Sequence, residues 1–195
     1  MPNLGNVTHT VDFFQGAFTI ILALALSEAL KSFTSDNQDE PLYWDRVPAL
    51  LTFLLIFFPF FQSMSRYFYS VYLDPRTALT YNPALLAFDG FMYTLQAGCF
   101  FTMSRSLAPH RWRRFYTTVL VLLLLDIGWI GVSYFRGFHV IGWLYMDLFI
   151  ITAILTLMWF ERGKPTSLRP SYIGLAIIVL TTVPSYLIER DMYFP

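Results

Sequence analysis

Six long apolar stretches follow one another along the chain, parted by short segments rich in charge and proline. Each approaches the roughly 20 residues that an α-helix needs to cross about 30 Å of hydrocarbon, where backbone groups find hydrogen-bond partners only within the helix. The pattern predicts spans at residues 13–33, 47–67, 84–103, 115–135, 141–160 and 172–188. The expected fold is therefore all-α: a polytopic transmembrane helix bundle forming one integral membrane domain. The acidic segment 35–45, with Pro41, reads as a loop. Asp74-Pro75 gives the second helix its first clear stop, so helix is allowed to run on to Leu73, and Ala108-Pro109 closes the third. Pro59 lies inside the second span, which predicts a kink or an unpaired carbonyl near Leu55; Pro184 interrupts the sixth. Only Arg136 to Val140 separate the fourth and fifth spans, so these two must pack as antiparallel neighbours.

Charge adds an orientation. Lys31, Arg46, Arg105, Arg111, Arg113, Arg114, Arg162, Lys164 and Arg169 fall on one side of six spans, and Arg66, Arg76, Arg136 and Arg190 on the other. The excess predicts cytoplasmic basic loops and two non-cytoplasmic termini, with the inner (plasma) membrane as the default location. No Lys or Arg precedes the first apolar run, which continues to Phe33, so it reads as a retained span and not a signal peptide. Arg111, Arg113 and Arg114 flank Trp112 in a turn suited to lipid headgroups. Glu28 and Lys31, three residues apart at a membrane boundary, are expected to pair. Ala23 and Ser27, with Gly128 and Gly131, are candidate close-packing points. Phe14-Gln15-Gly16 and Phe88-Asp89-Gly90 open spans one and three from the same side, an echo too short to establish a repeat.

The polar residues inside the spans carry the functional question. Asp126 lies near the centre of TTVLVLLLLDIGWIGVSY, residues 117–134. A charge at mid-bilayer costs about 2.5–3.5 kcal/mol on insertion scales, so it needs a partner or a use. Arg66, Asp89 and Asp147 are expected in the outer half of the bundle. Helical spacing places Asp89, Tyr93 and Gln96 on one face of span three, and Gln62, Arg66 and Tyr69 on one face of span two, both turned toward protein. Three intramembrane carboxylates facing one Arg leave two to be protonated, hydrated or matched by a mobile cation. The reading assigned is a structural ion pair Arg66–Asp89, with Asp126, Asp147 and Gln96 on an ion pathway; the alternative has Arg66 clamping Asp89 or Asp147 while Asp126 stays protonated and donates to a neighbouring helix.

Composition sets the bounds. With 56% hydrophobic and 13% charged residues and a formal net charge of zero, the chain suits lipid as its partner and offers no basic field for nucleic acid. One cysteine, Cys99, and three scattered histidines, His9, His110 and His139, supply no metal or haem spacing, so no cofactor is expected. Hydrolase and phosphate-loop motifs are missing from the sequence, and the flanks of Asp126 and Asp147 do not form an intramembrane protease signature. The expected function is an oligomeric channel or transport-type protein for protons or monovalent cations, its pore between copies of the chain. The alternatives are a membrane anchor, sensor or effector subunit acting through a protein partner and, third, a lipid-modifying enzyme.

Overall fold

A computed structural model describes residues 4–34, 42–73, 82–135, 141–163 and 168–188. Six α-helices account for most of them: α1 (Leu4–Phe33), α2 (Val47–Phe68), α3 (Pro83–Ser104), α4 (Trp112–Phe135), α5 (Ile141–Phe160) and α6 (Arg169–Ile188). Five of these are long and apolar enough to cross a membrane, while α6 offers a shorter apolar helix over Arg169–Pro184. The outward surface is apolar too: Phe13, Ile20, Phe58, Leu124, Phe149 and Leu180 are all exposed. An all-α bundle with an apolar exterior is a membrane protein's arrangement, since lipid and not water solvates that face.

α1 begins at Leu4, well before residue 13, because Val7 and Val11 extend the stripe of Phe18, Leu22, Ala25 and Ala29 that is buried along its whole length. That stripe, stepping by three, four or seven, packs against α3. The two helices run parallel: Phe14 lies on Gly90 near their starts, while Ser32 Oγ donates to the Ser104 carbonyl at 3.2 Å and Glu28 meets Arg105 at 3.7 Å near their ends. Glu28 thus reaches across to α3, where the sequence suggested Lys31. The residues of the two short echoes meet here, with Phe14 filling the place a β-carbon would take at Gly90. Gly174 on α6 is the second such point, against the Tyr116 hydroxyl. Ala23, Ser27, Gly128 and Gly131, expected as packing points, are all exposed. Ala25 and Ala29, two residues further on, do that work on α1.

Going round the bundle, α3 packs on α4, α4 on α5, α5 on α6 and α6 on α2, which closes against α1 and α3. The α4–α5 contact is the one that their short connection demanded. α2 keeps helical form through Pro59 and ends in a π-helical turn, Tyr69–Leu73, where the helix had been expected to continue. Asn82 caps α3 by accepting from Ala84 N–H at 2.9 Å, with Pro83 in the first turn. At the basic end, Arg46 donates to the Ser32 carbonyl, Arg111 to the Arg105 carbonyl at 3.2 Å, and Arg113 to the Arg162 carbonyl. Two of the three arginines expected at headgroups therefore also close helix ends, whose last carbonyls lack helical donors. Arg114 is exposed.

Candidate functional site

Two polar centres lie within the bundle. The first surrounds Asp89, on the second turn of α3 and wholly buried. Its Oδ2 accepts from the Tyr67 hydroxyl at 2.9 Å and from the Tyr72 hydroxyl, and its Oδ1 accepts from Trp129 Nε1 at 3.2 Å. Residues five apart point about 140° away from each other on an α-helix. The π-helical turn widens the chain after Phe68 and lets both tyrosines address one oxygen. Rings then pack on rings: Tyr67 lies 4.7 Å from Trp129 and 6.0 Å from Tyr93, centroid to centroid.

On α2, the hydroxyl of Tyr67, beside Arg66, reaches Asp89. Arg66 lines a shallow outward groove with Phe58, Phe61, Gln62 and Ser65, and Tyr69 is 62% exposed. Of the face expected to look inward, Gln62 and Arg66 are half-buried and Tyr69 is exposed. Counting charges drew attention to an arginine and passed over the aromatic hydroxyls.

The second centre is deeper. Gln96 Nε2 on α3 donates to Asp126 Oδ1 on α4 at 3.0 Å, and Asp126 and Asp147, from α4 and α5, face one cavity with their carboxyls close enough to interact. A proton shared between two such carboxyls relieves their repulsion. The three residues assigned to an ion pathway are thus brought together from three helices. They border a cavity of about 110 Å³ lined by residues of five of the six helices. α2 supplies Phe60 and Ser63, α3 Tyr93, α4 Trp129, α5 Trp143, and α6 Ile178 and Thr182. Pro59 also lines it, as does Leu55, whose carbonyl loses its α-helical donor to that proline.

Gln96 is fully buried, yet its Oε1 has no hydrogen-bond partner among the described residues, and Asp147, 2% exposed, meets another acid and not a base. A buried acceptor left without a donor costs about 1–3 kcal/mol. Tyr93 connects the two centres: it lines the cavity, and its ring lies 5.7 Å from that of Trp129, which binds Asp89. Toward the basic end the character changes. Phe53, Phe57, Phe60 and Phe100 pack ring to ring, with centroid separations of 4.9–6.0 Å, and beyond them the buried Tyr116 donates to the Ser171 carbonyl at 3.4 Å.

Among the described residues no three His, Cys, Asp or Glu gather to hold a metal ion. The chemistry available is that of exchangeable protons and hydrogen-bond acceptors facing a small cavity. Comparison with protein-family models, with curated proteins and with solved structures finds no match to the chain.

Proposed function

We propose that the chain is a transport-type membrane protein, carrying protons or a monovalent cation exchanged for them at the Asp126–Asp147 pair. The observation that carries this reading is that two interior carboxyls line one cavity with no Lys, Arg or His among its described lining residues. Intramembrane carboxylates are costly to keep, and one without a fixed basic partner is matched by a proton or a mobile cation. The polar line runs from the Asp89 centre past Tyr93 to the pair and then meets packed phenylalanines, as suits a site reached from one side at a time better than an open channel. Such a route lies within one chain and needs no pore between copies. The one-sided grouping of Arg46, Arg105, Arg111, Arg113, Arg162 and Arg169 supports a plasma-membrane orientation with the basic end in the cytoplasm.

The test is proton flux into liposomes holding the purified protein, wild type beside Asp126→Asn, each checked for monodispersity. Loss of flux in an intact variant is the expected result. Undiminished flux overturns the reading.

A second reading rests on the same pair, because two carboxyls sharing a proton also activate water in aspartic proteases. A cavity of about 110 Å³ admits water and small groups but no extended peptide, so hydrolysis ranks behind transport.

A further inference from the structure

We propose that the cavity between α2 and α6 is a binding site for a small organic ammonium ion, a primary alkylamine in its charged form, taken up in exchange for the proton held between Asp126 and Asp147. The inference deepens the transport reading and rests on it. It names the substrate class.

The polarity of the unsatisfied groups comes first. Gln96 Oε1 is a buried acceptor without a donor among the described residues, Asp126 and Asp147 add carboxyl oxygens, and all three residues line the cavity. A ligand that satisfies this set must donate. A primary ammonium offers three N–H donors at one atom, one for each of the three side chains. Charge narrows the choice further. Among the described residues lining the cavity there is no Lys, Arg or His; the ionisable groups that face it are Asp126 from α4, Asp147 from α5 and Tyr93 from α3, while α2 and α6 contribute only the neutral Ser63 and Thr182. When the shared proton leaves, the pair gains one unit of negative charge, and an arriving ammonium restores the balance with one positive charge.

The remaining wall fits the organic part. Trp129, Trp143, Tyr93 and Phe60 present aromatic rings, which attract a desolvated cation by about 2 kcal/mol or more. Leu55 and Ile150 supply aliphatic surface for a short alkyl group. Size sets the limit: a dry cavity of about 150 Å³ takes benzene, so one of about 110 Å³ suits a branched alkyl chain of a few carbons.

Titration of the purified full chain in nanodiscs with isobutylammonium chloride, followed by tryptophan fluorescence and by thermal unfolding, tests this directly. The expected result is a saturable response to isobutylammonium, with one proton released per amine bound in weakly buffered solution. Isobutanol, which matches its shape without the charge, and tetramethylammonium, which has the charge without N–H donors, should each bind at least about tenfold more weakly, as should the amine to Asp147→Asn. An equal response to the amine and the alcohol, unaltered amine affinity in a folded Asp147→Asn, or no saturable amine binding overturns the assignment. Should Asp147→Asn fail to fold, the three-ligand comparison on the wild type decides alone. Asp126-dependent proton flux without amine binding would sink the ammonium site and leave the transport reading standing; amine binding without flux would do the reverse.

Discussion

Asp89 and Asp147 are the same residue type, each on the second turn of its helix, and are buried at 0% and 2% exposure. They differ in what surrounds them. Three donors from two other segments converge on Asp89, whereas Asp147, on the wall of a cavity, meets another carboxyl. Burial alone does not separate a structural carboxylate from a working one. The count of donors does, because a satisfied carboxylate fixes helices in place and an unsatisfied one still has bonding capacity to offer a mobile species.

The sharpest way to break the comparison is to make one substitution at both centres. Asp89→Asn, turned so that its oxygen still accepts from Trp129, sets an NH₂ against the Tyr67 and Tyr72 hydroxyls, which must rotate to accept instead of donate. The expected loss is about 1.5–3 kcal/mol of stability, read as a lower midpoint in thermal unfolding of the purified protein. Asp126→Asn keeps an oxygen for Gln96 and an NH₂ for Asp147, so the bundle should unfold within about 1 kcal/mol of wild type. Proton flux should nevertheless fall by about a hundredfold, equivalent to about 2.7 kcal/mol in the barrier. If the two effects came out reversed, the structural and functional roles would have to be exchanged.

Packing supplies the next measurement. A methyl at Gly174 would overlap the Tyr116 hydroxyl, which is buried and bonded to Ser171. Gly174→Ala is expected to destabilise by about 1–3 kcal/mol through overpacking, whereas Gly131→Ala, with nothing within 4 Å of the added carbon, should be neutral or slightly stabilising in the same unfolding assay. The smallest effect belongs to the π-helical turn. Tyr72→Phe removes one of two hydroxyls on Asp89 Oδ2 and should cost about 1–2 kcal/mol. Flux should be unchanged, and a large loss of flux would extend the working site outward to Asp89.

Much of this fold could be read along the chain because lipid imposes a single rule, that each crossing segment satisfies its own backbone. Helix number and the α4–α5 pairing followed from run length and from the brevity of residues 136–140. Arg76, Arg136, His139, Lys164, Arg190 and residues 35–41 lie outside the described residues. In the candidate site, spacing placed Asp89, Tyr93 and Gln96 on one buried face of α3. It could not show that Asp89 and Gln96, seven residues apart on that face, serve different centres.

By itself the sequence determined that this chain is a bundle of apolar helices with its charges confined to helix ends and a few interior carboxylates, because length, hydropathy and proline position act locally. Only the tertiary structure decided which helices adjoin. The parallel α1–α3 contact, the reach of Tyr67 and Tyr72 to Asp89, and the meeting of Gln96, Asp126 and Asp147 around one cavity depend on helix rotation and depth. Those are fixed by side chains of different segments fitting one another. In a chain that is apolar almost all round, hydrophobic periodicity leaves that fit undetermined, since lipid and protein interior welcome the same residues.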